Sequence, residues 1–453
     1  MINRKNLIFL KEWKNRNHRK PLVLRGARQV GKTELVRSFG KGFDYFIEYN
    51  FDEFPEKASL FKSGDISQII PLIEVDSGIK VIPGKTLIFF DEIQAAPVVL
   101  PLLRYFHEKL PQLHVIAAGS LLEFLLSDHN FSMPVGRVEY HFMGPLSFEE
   151  FLAGTGEDVL ADFLHDYDLK REIPEALHLK YLQYLKKYLL IGGMPEAVQR
   201  WIETGDIIEV QRVHASILQT YEDDFGKYLK RVNPDHLRLI LRKIPALVGK
   251  KLRYVNIDRN IAPSALKSAI RALSNARIIT QVFHSDGNGV PLGAEVSEKK
   301  MKPLFIDSGI YSFSLNLRLT DVYTMDNLLL INSGALAEQF AGQHLLYDNY
   351  PWIKPELFYW HREKKGSSSE VDFLTADGTD VLPVEIKAGK TGSLRSLHTF
   401  AALKKTRRAL RFNSDIPSVT RVKTAIEHIG KADYELISLP LYMIGEYKRL
   451  LGS

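Results

Sequence analysis

The chain has no cysteine among its 453 residues, which removes disulfides, thiolate metal sites and cysteine nucleophiles from consideration. It also lacks long apolar runs. No uninterrupted stretch approaches the ~18 residues that a membrane-spanning helix requires, and no apolar signal core follows Met1-Ile2-Asn3-Arg4-Lys5. A cytoplasmic protein without a membrane partner is the expectation. Charge of one sign is scarce too: 60 Lys and Arg against 54 Asp and Glu leave a net +6, compatible with a nucleic-acid partner and equally with ordinary solubility. Internal repeats and long low-complexity tracts are missing. What is present, a 45% hydrophobic content over this length, suffices for about three buried cores.

The most informative stretch is Gly26-Ala27-Arg28-Gln29-Val30-Gly31-Lys32-Thr33, which fits G-x-x-x-x-G-K-[ST] at every required position. The apolar run Pro21–Arg25 before it reads as a strand, and Glu34–Phe39 after it reads as a helix. In that order the glycines let backbone N–H groups turn inward around phosphates, and the helix adds its positive end. Lys32 would reach the β/γ-phosphates of ATP and Thr33 would offer its hydroxyl to Mg²⁺. Hydrolysis also needs an acid near the metal and a group that positions water. Thr86–Phe90 is a candidate central strand whose carboxyl end carries Asp91, expected on Mg²⁺ through water, and Glu92, expected as general base. The acidic pair could also cap the next helix, a role compatible with the catalytic one. A third strand, His114 to Ser120, puts Ser120 where a γ-phosphate sensor or a helix cap would sit.

With these motifs the chain resembles the AAA-type ATPases of bacteria and archaea that carry a C-terminal domain of unknown function, over nearly its whole length. The matching stretches are Gly26–Thr33, Phe90-Asp91-Glu92-Ile93-Gln94, Gly119-Ser120, Gly136-Arg137, Pro145–Phe151, Gly192–Val198 and Phe305–Ile310. The resemblance implies that Arg137 senses or stabilises the γ-phosphate, in cis or from a neighbouring subunit of a homo-oligomer. A surface arginine explains Arg137 as well.

Residues 145–205 read as a helical lid broken at Ile191-Gly192-Gly193-Met194-Pro195. From 206 to 316, helical segments are followed by a helix at Ala262–Leu273, a strand at Ile278–Val282, a turn at Ser285–Gly289 and a return near Lys302–Ile306, the order of a winged helix. Lys267, Arg271 and Arg277 lie in or just after its recognition helix, where they could meet duplex phosphates or a protein partner.

The last segment, 317–453, holds a second constellation. Glu338 falls in a helical stretch, Asn332–Leu346. Glu370-Val371-Asp372 opens a strand. Glu385 and Lys387 end another, after the turn Asp377-Gly378-Thr379-Asp380. The period of two puts Glu385 and Lys387 on one strand face. This order resembles the PD-(D/E)xK nuclease fold, with Asp372 and Glu385 on Mg²⁺, Lys387 on water and Glu338 as the helical acid. A solvated E-x-K face, or a member without activity, stays open.

The expected architecture is therefore α/β. It comprises a P-loop parallel-sheet ATPase domain (1–144), a helical lid (145–205), a winged-helix domain (206–316) and a PD-(D/E)xK nuclease-like domain (317–453). The expected function is Mg²⁺-dependent ATP hydrolysis in the service of nucleic acid, double- or single-stranded DNA, with a candidate Mg²⁺-dependent nuclease site at the C-terminus. The alternative is a nucleotide-controlled switch whose inactive nuclease-like domain binds a protein or DNA.

Overall fold

In the computed structural model, residues 2–120, 122, 136–226, 232–316, 334–364, 367–389 and 392–452 are described. Five parallel strands form the first sheet: β1 (Leu22–Arg25), β2 (Tyr45–Asn50), β3 (Thr86–Asp91), β4 (His114–Gly119) and β5 (Glu139–Phe142), in the order β2-β3-β4-β1-β5. β3 and β4 are buried at every position, as expected of parallel strands covered on both faces. The alternation of side chains divides them between two cores. Leu22, Leu24, Leu87, Phe89, Ile116 and Ala118 pack on the side of helices Asn6–Asn15 and Lys32–Gly40. Val23, Ile88, Phe90, Val115 and Ala117 face helices Ile66–Ser77 and Leu102–Lys109. Because β4 lies between β1 and β3, the carboxyl ends of these three strands open side by side.

Helices Phe148–Gly154, Asp158–Asp166, Glu175–Ile191 and Pro195–Thr204 follow. The first starts with a reciprocal cap: the Ser147 hydroxyl accepts from Glu150 N at 3.3 Å and the Glu150 carboxylate accepts from Ser147 N at 2.9 Å. Helices Ile207–Asp224, Pro234–Lys243 and Pro263–Asn275 then lead into the antiparallel pair β6 (Ile279–Ser285) and β7 (Val296–Phe305).

The second sheet has eight strands, in the order β12-β13-β11-β10-β9-β8-β6-β7. Its C-terminal strands are β8 (Phe358–Lys364), β9 (Ser367–Asp377), β10 (Asp380–Ile386), β11 (Arg408–Asn413), β12 (Ser418–Ile426) and β13 (Gly430–Pro440). β6 pairs in parallel with β8, so strands from before and after residue 316 share one continuous sheet. Helix Gly334–Leu346 packs on it through Phe340 and Ala341; positions 332 and 333 of the helix expected there lie outside the described residues.

Two short motifs meet where these layers join. Buried Asp307 caps helix Ser308–Ser314, accepting from Gly309 N at 2.9 Å and Ile310 N at 3.1 Å, and reaches across to accept from Gly193 N at 2.6 Å. Gln343 accepts from Ser308 N at 2.9 Å and so ties helix Gly334–Leu346 into the same knot. Burial raises the Asp307 carboxyl to about 6, against the lowering effect of those backbone N–H groups. For an acid whose folded-state pKa is raised, the contribution to stability is full below the ordinary value near 4 and lost as pH rises through about 6. Asp307→Asn is therefore expected to flatten the pH dependence of the unfolding free energy between about pH 4 and 6. An unchanged slope, measured by denaturant unfolding, would contradict this.

Candidate functional sites

At the end of β1 the chain turns through the glycine loop into helix Lys32–Gly40. Gly31 sits at φ +90°, a left-handed conformation that favours glycine. Gly26 is required for a different reason: a Cβ there would lie 2.3 Å from the Met143 carbonyl just past β5. Lys32 is 6% exposed, and its amine donates to the loop carbonyls of Gly26 at 3.1 Å and Ala27 at 2.7 Å. Burial lowers its pKa to about 8, with the charges of Glu92 and Asp91 working in the opposite direction.

Across the cleft the Thr33 hydroxyl donates to Asp91 Oδ2 at 2.7 Å, and Asp91 Oδ1 accepts from Glu92 N at 3.0 Å. Burial raises Asp91 to about 6, while the Thr33 bond opposes that shift. Glu92 turns off β3 at φ +46°, and its carboxylate accepts from the Gln94 side-chain amide and lies 3.4 Å from the Ser120 hydroxyl. The carboxyl ends of β1, β3 and β4 thus bring Lys32, Thr33, Asp91, Glu92 and Ser120 together. Gln94 was legible only as part of the motif Asp91-Glu92-Ile93-Gln94, yet it is the group that orients Glu92.

Arg137 lies elsewhere. It is about half exposed and pairs with Glu108 of helix Leu102–Lys109 at 2.9 Å. The loop's long-range braces carry no sequence signal. Arg28 forms an ion pair with Asp224 at the end of helix Ile207–Asp224, and the Tyr221 hydroxyl donates to the Arg28 carbonyl at 3.2 Å. Arg4 donates to the Val30 carbonyl at 3.1 Å, the Gly144 carbonyl at 2.8 Å and the Glu150 carboxylate at 3.2 Å. Arg277, expected on an exposed recognition surface, is half-buried with its guanidinium 4.9 Å from the Phe142 ring centroid, at the end of β5. Lys267 and Arg271 are exposed.

Residues 18–152, which contain all of these motif residues except those brought in from outside it, match the family model for an AAA domain. The chain carries an AAA-type P-loop ATPase domain. Beyond this ATPase domain, residues 182–321 and 333–442 match two families described as domains of unknown function, DUF8612 and DUF4143. No curated protein matches the chain. Among solved structures, the Walker-type ATPase PABY2304 of Pyrococcus abyssi is 16% identical over 70% of this chain and 96% of its own, with a TM-score of 0.43. The Aeropyrum pernix ORC1 protein, solved in complex with DNA, is 13% identical over 71% of this chain and 92% of its own, with a TM-score of 0.27. At these TM-scores no function passes from either protein to this one.

The second group of side chains lies on the eight-stranded sheet. β9 and β10 are antiparallel with Phe373 opposite Val384, which sets Asp372 and Glu385 at neighbouring positions on adjacent strands. Asp372 Oδ2 accepts from Ile386 N at 2.8 Å. Glu385 Oε1 accepts from the Lys387 amine at 2.6 Å, and its Oε2 is buried without a hydrogen-bond partner. Burial first, and the Asp372 charge second, push Glu385 up to about 8 against the pull of Lys387. The same two causes push Glu338, on helix Gly334–Leu346, to about 8. Two further residues, with no motif to announce them, complete the cluster: Glu370 on β9 and Lys302 on β7, an ion pair. Among the described residues, no three His, Cys, Asp or Glu side chains are grouped so as to hold a metal ion, and no helix is long and apolar enough to cross a membrane.

Proposed function

We propose that this chain binds Mg²⁺-ATP at the carboxyl end of β1 and hydrolyses it, and that its C-terminal acidic cluster acts on a phosphodiester of nucleic acid. The observation that carries the first half is the Thr33–Asp91 contact of 2.7 Å beside Glu92. Thr33 and Asp91 are adjacent hard oxygen donors, the set that Mg²⁺ takes together with water, and they would hold it. Bound Mg²⁺ neutralises charge that develops on the phosphates. Lys32 donates to the β/γ-phosphate oxygens, Glu92 positions and deprotonates the attacking water, and Ser120 hydrogen-bonds the γ-phosphate. A cavity of roughly 440 Å³ opens beside Gly31 between Ile2, Leu7, Leu35, Leu146 and Pro195. Its aliphatic part suits the face of the adenine base, and the polar side chains that share the lining, Arg4, Glu34, Glu196 and Gln199 among them, suit its edge. Arg137, paired on the outside of the domain, reaches phosphate only on a neighbouring copy in a homo-oligomer.

The second half is supported by the chemistry of the acidic cluster. The buried, unpartnered Glu385 oxygen and the adjacent Asp372 fit a divalent cation that fills its remaining positions with water. Such an ion polarises a phosphoryl oxygen when bound. Lys387, held by Glu385, orients the water, and Glu338 supplies the helical acid. Leu252 N bonds the Met301 carbonyl at 2.8 Å, which aligns exposed Lys250, Arg253, Lys299 and Lys300 along the edge next to these acids. A basic edge of this kind contacts phosphate backbones, and a winged-helix reading of residues 206–316 agrees with it. The test is divalent-metal-dependent degradation of plasmid and single-stranded DNA. Asp372→Ala and Lys387→Ala are each expected to remove cleavage and to leave ATP turnover unchanged. Cleavage intact in both would sink the assignment.

A second reading has its own observation. Lys302 already neutralises part of the acidic cluster, and Arg28–Asp224 ties the phosphate loop to the helix that leads to the later segments. In this reading the nucleotide controls the affinity of a non-cleaving domain for DNA or a protein. Nucleotide-dependent gel shifts without product would mark it.

A further inference from the structure

Lys302 is an unusual lysine. It lies on β7, in the segment before residue 317, and is 2% exposed. Its amine is 3.5 Å from Glu338 Oε2 and 3.9 Å from Asp372 Oδ1, forms an ion pair with Glu370, and lies 5.2 Å from the Tyr359 ring centroid. Burying an ammonium is unfavourable unless carboxylates surround it. The dependence is mutual, because three carboxylates gathered this closely need a cation among them. Burial opposes the Lys302 charge, but Glu338, Asp372 and Glu370 outweigh it and hold the amine's pKa above that of an ordinary lysine.

The acids therefore fall into two groups. Glu338 and Glu370 face Lys302. Glu385 faces Lys387 through one oxygen and has its other, buried oxygen unpartnered. Asp372 stands between the groups, with Oδ2 on Ile386 N and Oδ1 toward Lys302. Two divalent ions working on one phosphoryl group stand about 3.5–4 Å apart, so an acid that served both would have to lie between the two groups. In this cluster Asp372 is the only acid placed to bridge, and the place on its Glu338 side holds an ammonium.

We propose that Lys302 is a resident counter-cation standing where a second divalent ion would lie, so that the C-terminal site takes one divalent ion, on Asp372 and Glu385. This rests on reading Asp372 and Glu385 as a metal pair. It assigns the strand β7, outside the segment that carries the E-x-K motif, a direct part in setting the site's metal content.

The test is a Mn²⁺ titration of the full, nucleotide-free chain, with free Mn²⁺ followed by its paramagnetic resonance signal. Glu385→Gln identifies ions bound at this site. The wild type is expected to hold one ion that Glu385→Gln loses. Lys302→Met is expected to hold one more than the wild type. Lys302→Gln, which keeps a donor for Glu370 and is the variant to use if Lys302→Met does not fold, is expected to do the same. Thermal melts establish which variants are folded. Two Glu385-dependent ions in the wild type, or no additional ion in a folded Lys302 variant, would overturn the role of Lys302 while leaving the metal pair standing. Absence of any Glu385-dependent ion in the wild type and in the Lys302 variants would overturn the metal pair, and the proposal with it.

Discussion

Glu92→Gln is expected to lower kcat for ATP hydrolysis by about 10²–10⁴-fold, the usual contribution of a positioned general base, with ATP affinity changed no more than a few-fold. The reason is local. Glu92 is not the residue that contacts Thr33; Asp91 is. Its carboxylate is instead oriented by the Gln94 amide and lies beside Ser120, at the mouth where the carboxyl ends of β3 and β4 open. Glutamine preserves size and hydrogen bonding but cannot take a proton from water, so the loss falls on the chemical step. Single-turnover hydrolysis and equilibrium nucleotide binding separate the two effects. A variant that binds ATP normally and turns over at the wild-type rate would remove Glu92 from the mechanism. A variant that fails to bind would show that Glu92 serves the site's structure.

The second large effect is on stability. Gly192→Ala is expected to destabilise the protein by about 2–6 kcal/mol. Roughly 1–3 kcal/mol of this comes from forcing a side chain into a glycine-only backbone region, and roughly 1–3 kcal/mol from disturbing buried hydrogen bonds. Gly192 sits at φ +79° and ψ −169°, and a Cβ there would lie 2.0 Å from Asp307 Oδ1. That oxygen already accepts from Gly309 N and Ile310 N, and its partner oxygen accepts from Gly193 N. The new methyl cannot be accommodated without moving the Asp307 carboxylate off at least one of them. A nearby close approach leaves little room for the turn to shift, because a Cβ on Gly309 would lie 2.3 Å from the Ile191 carbonyl. Denaturant midpoints of wild type and variant measure the difference, and a loss below about 1 kcal/mol would contradict this account of the knot.

The knot also shows what was legible in the sequence and what was not. The phosphate loop, the acid pair at 91 and 92, and the strands beneath them are local patterns, and a pattern confined to ten residues survives translation into structure. The stretches Gly192–Val198 and Phe305–Ile310 were legible as a break between helices and the end of a hairpin strand, and otherwise as family texture. Their physical meaning lies in a contact between Gly193 and Asp307, 114 positions apart. Arg4 against Gly144, Arg28 against Asp224 and Lys302 against Glu370 are likewise encounters between distant segments, with no periodicity or spacing to announce them. Arg277 illustrates the reverse. A basic residue after a helix reads as a surface contact, but packing of that turn against β5 sets its guanidinium over Phe142. At the C-terminal site the order of Glu338, Asp372, Glu385 and Lys387 was readable because strand alternation and a four-residue turn fix how β9 meets β10. The cation that accompanies them was not, because β7 reaches the cluster through the parallel pairing of β6 with β8.

The proposed function joins ATP hydrolysis at the end of β1 to a nucleic-acid-directed C-terminal half. The most direct measurement is Mg²⁺-dependent ATP turnover by the full chain and by Lys32→Ala, each with and without duplex and single-stranded DNA. Turnover in the wild type is expected to be stimulated by DNA and abolished by Lys32→Ala. Turnover that survives Lys32→Ala would contradict the site assignment, and Lys32-dependent turnover indifferent to both forms of DNA would contradict the nucleic-acid half of the claim.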